Sequence, residues 1–216
     1  MLVPDNVEPS MTGGRLITIE GIDGAGKTTL AVGLESELKG RGIDVRLLRE
    51  PGGVRAAERV RELVKDPELW IGARAEALLY AAARAQLVEE AVDPLLAGGT
   101  WVLLDRFIDS SLAYQGAGRQ LGIDAVGAIN QFGTHGLRPD RTLLLLVDAR
   151  LGRARARERA EPVDRLEGEQ DEFFHRIVSG YIELAHRDPD RIRQLDAAQP
   201  PEAVLAAALE AIADLL

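Results

Sequence analysis

Residues 21–28 read Gly21-Ile22-Asp23-Gly24-Ala25-Gly26-Lys27-Thr28 and fill every fixed position of the G-x-x-x-x-G-K-[ST] phosphate-binding pattern. The residue types state the chemistry. Glycines let successive backbone N–H groups converge on phosphate oxygens, and a helix that starts at the loop adds the positive end of its dipole. Lys27 has the reach for the outer phosphates of a nucleoside triphosphate, and the Thr28 hydroxyl is a hard oxygen ligand suited to Mg²⁺. An ordinary glycine turn would need neither flank. Here the apolar run Leu16-Ile17-Thr18-Ile19 precedes the loop, and Leu30, Leu34 and Leu38 follow at helical spacing.

Further candidates stand after other apolar runs. Arg49-Glu50-Pro51-Gly52-Gly53 contains a turn, yet turn geometry asks for neither Arg49 nor Glu50. In Asp105-Arg106-Phe107, the Asp resembles the carboxylate that helps P-loop enzymes hold Mg²⁺, and Arg106 has the planar fork that grips a phosphate. A strand-end ion pair is the plainer account. The run Asp109-Ser110-Ser111-Leu112-Ala113-Tyr114-Gln115-Gly116 suits the edge of a base, or equally a capped helix start. Tyr80 and Arg84 lie one helical turn apart, fit to stack on a base and donate to its carbonyls. Their spacing fits a core tyrosine and a solvated arginine as well. Arg150, Arg153, Arg155, Arg157 and Arg159, followed by Asp164-Arg165-Leu166-Glu167, form either a solvated helix face or a lid that closes positive charge over phosphates.

These residues need a scaffold that gathers loops at one edge. Strand-like runs are expected at Leu16–Glu20, Val45–Arg49, Trp101–Asp105, Thr142–Val147 and Ile192–Asp196. Helical patterns fill the gaps at Thr28–Arg41, Val54–Val64, Ala73–Leu96, Asp124–Thr134, Leu151–Arg159, Gln170–His186 and Pro201–Leu216. The alternation predicts a three-layer α/β fold with a five-stranded parallel sheet and its site at the carboxyl ends of the strands. Residues 15–216 read as one domain with a lid at about 150–168, and residues 1–14 as a disordered extension without signal-peptide character. A net charge of −9 over 216 residues argues against broad nucleic-acid binding. With no cysteine and three histidines, thiol chemistry and a Cys/His metal site are excluded or disfavoured. No run is long and apolar enough to span a bilayer, so a cytoplasmic protein is expected.

Taken in order, these motifs resemble those of the bacterial thymidylate kinases, from about Arg15 to the C-terminus. They comprise Ile19-Glu20 with the P-loop and Thr29, Arg49 to Gly53, Tyr80 to Arg84 with Gln86-Leu87-Val88, Asp105-Arg106-Phe107, Ala113 to Gly116, the arginine-rich segment with Asp164 to Glu167, and Asp196-Ala197. The resemblance implies a P-loop nucleoside monophosphate kinase that moves the ATP γ-phosphoryl group to dTMP with Mg²⁺, as a homodimer. It implies that Gly21 to Thr28 bind ATP, that Thr28 and Asp105 hold the metal, and that Lys27 and Asp23 serve the transfer. Tyr80 would stack on thymine, Arg84 would contact its carbonyl, and Arg106 would hold the acceptor phosphate. Ser111 and Gln115 would lie near the base, Tyr114 under the sugar, and Arg49 and Glu50 along the acceptor pocket. The P-loop lacks an arginine, which resembles the subgroup whose lid supplies the catalytic positive charge. Arg155, Arg157, Arg159 and Arg165 are all open for that role. The chain departs from the family's pattern at Leu146 and Ala149-Arg150.

Two other readings compete. A deoxynucleoside kinase also carries an Asp-Arg pair after a strand, but needs a base for a 5′-hydroxyl. A P-loop switch or partitioning ATPase would work through partners; the absence of an Asn-Lys-x-Asp motif weakens its GTPase version.

Overall fold

The computed structural model describes residues 13–157, 165–166 and 168–216; of residues 1–14 only Gly13 and Gly14 fall within it. Five strands run in the order β2-β3-β1-β4-β5: β1 (Leu16–Glu20), β2 (Val45–Arg49), β3 (Trp101–Asp105), β4 (Arg141–Leu146) and β5 (Ile192–Asp196). All four pairings are parallel, and in register Ile19 stands beside Asp105 and Thr18 beside Thr142. The central strands are buried on both faces, which is why their sequences are almost continuously apolar. The two threonines inside that layer pair with each other, Thr18 Oγ1 lying 2.7 Å from Thr142 Oγ1.

The helices are α1 (Lys27–Gly40), α2 (Arg55–Lys65), α3 (Ala73–Leu87), α4 (Asp93–Ala97), α5 (Ile108–Ser111), α6 (Ile123–Gly133), α7 (Ala149–Arg157), α8 (Asp171–Arg187) and α9 (Pro201–Ala211). Helix α1 buries Leu30, Leu34 and Leu38 against the sheet, so the P-loop is pinned between β1 and a packed helix.

Two expectations are corrected. The helix expected over Ala73–Leu96 is interrupted by a π-helical turn at Val88–Val92; Pro94 has no N–H for the α-helical ladder, and the chain widens just before it. Strand β4 starts one residue early and ends at Leu146. Arg141 belongs to the sheet because its guanidinium is anchored on Asp190 O and Asp214. The polar stretch after Phe107 is helical, α5 running into a π-helical segment at Leu112–Gly118.

Candidate active site

The carboxyl ends of β1, β2 and β3 open on a cleft of about 580 Å³, within the usual size of a nucleotide or cofactor site. Asp23, Lys27, Thr28, Arg49, Glu50, Tyr80, Arg84, Asp105, Arg106, Ser111, Tyr114 and Gln115 all line it. They come from five segments of the chain that meet at the sheet's switch point, where β1 lies between β3 on one side and β4 on the other.

The P-loop occupies one wall. Gly21, Gly24 and Gly26 take positive φ (136°, 80° and 93°), which lets the backbone amides turn inward. Gly24 carries a second constraint. A Cβ added there would lie 1.9 Å from the carbonyl oxygen of Gly152 on α7, and one added at Gly152 would meet Ile22 at 2.6 Å. The loop and the helix that leads into the arginine-rich segment thus touch backbone to backbone.

Lys27 is buried and donates to Ile22 O at 2.9 Å, with Asp23 Oδ1 at 3.7 Å. Burial and the neighbouring Arg106 push its ammonium down to about 8. The Thr28 hydroxyl donates to Asp105 Oδ2 at 3.2 Å, so two hard oxygen atoms stand together at the mouth of the loop. Among the described residues no group of three or more His, Cys, Asp or Glu could hold a metal by itself. Two oxygens beside a phosphate cradle fit Mg²⁺, which takes one or two protein ligands and completes its shell with phosphates and water.

Arg106 is the centre of the next wall. Its Nη2 donates to Asp23 Oδ1 (2.6 Å) and Tyr114 OH (3.3 Å), and its Nη1 to Gly21 O (3.0 Å) and Ser110 Oγ (3.1 Å). Its guanidinium also lies over the Tyr114 ring, 5.1 Å from the centroid. The cleft setting opposes ionisation of Asp23, but Arg106 and Lys27 outweigh it and hold that carboxyl below its ordinary range. Burial drives the Tyr114 hydroxyl upward, so it stays protonated as a donor, and it reaches Asp23 Oδ2 at 3.4 Å.

The far end of the cleft is built on α3. Tyr80 is half-buried there. Arg84, one turn on, is not the solvated arginine that its spacing allows. Its guanidinium is 2% exposed and donates to Glu50 Oε2 (2.7 Å), Ser111 Oγ (2.9 Å), Phe107 O (2.9 Å) and Asn130 Oδ1. Burial pushes Glu50 up to about 7 against the pull of Arg84, and its Oε1 has no partner among the described residues. Arg49 stays at the rim, paired with Glu58 at 3.2 Å.

Sequence reasoning passed over Glu76, one turn before Tyr80. It is fully buried and takes Gln115 Nε2 at 2.9 Å, Arg119 Nη2 at 3.1 Å and Arg165 Nη1 at 2.7 Å. The spacing Glu76, Tyr80, Arg84 was the signal, since positions i, i+4 and i+8 share one helix face. Asn130 and Tyr181 were also missed, and nothing local marks them.

Of the arginine-rich segment, the described residues bring only the backbone of α7 against the P-loop. Arg155 rides on α7 beside Gly24 but donates to Ala197 O at 2.8 Å. Arg153 is clamped by Asp171 and Glu169 O and lies over Phe174. Arg165 faces Glu76 and donates to Val64 O at 3.1 Å, because a buried carboxylate needs a cation more than open solvent does. The Arg157 side chain, Arg159, Asp164 and Glu167 lie outside the described residues.

This fold and cleft are those of a P-loop nucleoside monophosphate kinase: the P-loop faces a pocket lined by Arg106 that ends at Tyr80 and Arg84. Comparisons with known proteins narrow the class. The sequence model of the family described as Thymidylate kinase matches residues 19–208. A thymidylate kinase of Alkalilimnicola ehrlichii is 47% identical over 204 residues, covering 94% of each chain. One of Oenococcus oeni is 48% identical over 211 residues, covering 95% of this chain and 98% of its own. The crystal structure of a thymidylate kinase from Ehrlichia chaffeensis superposes with a TM-score of 0.74 at 29% identity, covering 94% and 98% of the two chains. The chain belongs to the thymidylate kinase family.

Proposed function

We propose that this chain transfers the γ-phosphoryl group of ATP to dTMP, giving ADP and dTDP. The observation that carries the reading is the single cleft that joins the P-loop to Arg106 and, beyond it, to Tyr80 and Arg84. The acceptor is already an anion, so no general base is needed and catalysis is positioning plus neutralisation of charge. An oxygen of the dTMP phosphate attacks the γ-phosphorus and the bond to the β-phosphate oxygen breaks, leaving ADP. Arg106 holds the acceptor phosphate in line, and Lys27 neutralises the phosphoryl group as the bond loosens. The backbone amides of residues 21–28 cradle the donor, Tyr80 stacks on thymine, and Arg84 donates to its carbonyl. Ser111 and Gln115 shape the base pocket through Arg84 and Glu76, while Tyr114 lies beneath the sugar. Arg49 and Glu50 line the acceptor side. Thr28 and Asp105 would hold Mg²⁺, which would supply further positive charge against the triphosphate.

Residues 15–216 act as one kinase domain, in the cytoplasm where both nucleotides are made and used. Among the described residues no helix is long and apolar enough to cross a membrane. The domain works as a homodimer: Phe132 on α6 is 91% exposed and Leu78 on α3 is 54% exposed, and these two helices pack on each other. Sedimentation velocity that returned only monomer would remove the dimer. ADP release with each nucleoside monophosphate, with thymidine and with no acceptor tests the activity. dTMP should be used far faster than the rest. Preference for thymidine would indicate a nucleoside kinase, and acceptor-free turnover stimulated by a macromolecule would indicate a switch ATPase.

A further inference from the structure

Glu20 ends β1, next to the P-loop, and is the only ionisable residue in a fully buried strand. Its donors come from elsewhere. Oε1 accepts from the N–H groups of Phe107 (2.8 Å) and Ser110 (3.2 Å), and Oε2 from the hydroxyls of Ser110 (2.5 Å) and Tyr181 (3.0 Å). Three of these four donors belong to the turn that follows Arg106. Arg106 itself has φ 72°, a left-handed backbone that a side chain bearing Cβ keeps only when its neighbours over-determine it. The Ser110 hydroxyl that donates to Glu20 also accepts from Arg106 Nη1 at 3.1 Å.

We propose that Glu20 is the positioning residue for Arg106: it fixes the turn by two backbone N–H groups and orients the Ser110 hydroxyl that receives the guanidinium. The inference rests on the reading that Arg106 holds the acceptor phosphate. Glu20 touches no reacting group, and its hydrogen bonds go to the turn and the Ser110 hydroxyl that hold that arginine. Tyr181, from the distant helix α8, locks the carboxylate from its other side. A carboxylate suits the task because it offers lone pairs to all four donors and competes with none.

Glu20→Gln keeps the shape but turns one oxygen into an N–H donor that opposes donors. In the full chain, with folding checked by circular dichroism, it should raise KM for dTMP about tenfold, the loss expected when a charge-assisted hydrogen bond fails. KM for ATP should stay within about twofold, a split that general destabilisation would not produce. In an Arg106→Ala background the Glu20→Gln effect should vanish, since residues acting through one another are not additive. Ser110→Ala, which removes only the relay hydroxyl, should move KM for dTMP in the same direction by a smaller factor, and decides the matter if Glu20→Gln does not fold. Unchanged dTMP kinetics, an equal rise in both KM values, or a full additional loss on top of Arg106→Ala overturns the proposal. If Arg106→Ala alone leaves dTMP kinetics intact, the acceptor-site reading falls and takes this proposal with it.

Discussion

Arg84→Met tests whether the far end of the cleft is built as the side chains suggest. The substitution keeps the aliphatic stem and removes a guanidinium that makes hydrogen bonds to Glu50, Ser111, Asn130 and Phe107 O. The side chains of Arg84 and Glu50 are 2% and 3% exposed, so water cannot replace the lost partner. Breaking a buried ion pair from one side costs about 3–5 kcal/mol, because the remaining carboxylate is left without a cation. For a domain of this size each kcal/mol shifts Tm by about 2–4 °C, so a loss near 4 kcal/mol lowers Tm by about 8–16 °C. Adding Glu50→Gln should recover part of that loss, since no charge then lies stranded. The substrate effect is separable. A guanidinium has five N–H groups, and four are accounted for by the protein, which leaves one on Nη2 for the base. Its removal should raise KM for dTMP by about ten- to a hundredfold, the worth of one hydrogen bond from a charged donor. Thermal melts and initial rates at 20 °C, below the lowered transition, read both quantities. A Tm within 3 °C of the parent would refute the buried-pair argument. A lowered Tm with unchanged KM for dTMP would make Arg84 a core ion pair with no role toward the base.

Two further outcomes follow from the P-loop. Burial pushes Lys27 down to about 8, so the free enzyme loses this charge as pH rises through that value. For activity the sign is that log(kcat/KM) for ATP should be level to about pH 7.5 and then fall, because only the protonated lysine neutralises phosphate; a level profile to pH 9.5 would disprove it. Gly24→Ala should cut kcat/KM for ATP by about tenfold or more, since a Cβ at φ 80° costs about 1–2 kcal/mol and also strikes Gly152 O. Unaltered ATP kinetics would mean that α7 yields freely.

The parts that could be read from sequence are those where one physical demand acts on neighbouring residues. Strands β1, β3 and β4 were legible because burial on both faces favours long apolar runs, and the P-loop because its glycines, lysine and threonine answer to one phosphate chain. What escaped depends on residues far apart in the chain. Spacing alone left Arg84 open between a base contact and a solvated residue, because Glu50, Ser111 and Asn130, which make its burial tolerable, are each more than 25 positions away. Glu20 looked like a strand end for the same reason, with Tyr181 161 residues distant. Pro94 did announce the break in the long helical pattern, by the N–H it lacks, but the apolar periodicity around it reads through. In the arginine-rich segment, periodicity places side chains on a helix face but not on their targets. Arg155 and Arg165 share a composition and end on opposite partners, Ala197 O and Glu76.

How an acidic chain binds two anionic nucleotides follows from the same pairings. Four cations that line the cleft already have carboxylates: Lys27 and Arg106 share Asp23, Arg84 has Glu50 and Arg49 has Glu58. The cleft is therefore not a patch of bare positive charge, which would repel itself and attract any polyanion. Each guanidinium is instead held in one orientation before the ligand arrives, so little ordering is left for binding to supply. All four terminal N–H groups of Arg106 are engaged, with Gly21 O, Ser110, Asp23 and Tyr114. A phosphate that meets those groups must displace Asp23 or Tyr114, and Asp23 is the partner it resembles, an anion seated in the same fork. On the function proposed above, exchange of the Asp23 carboxylate for the acceptor phosphate would leave the half-buried guanidinium paired throughout.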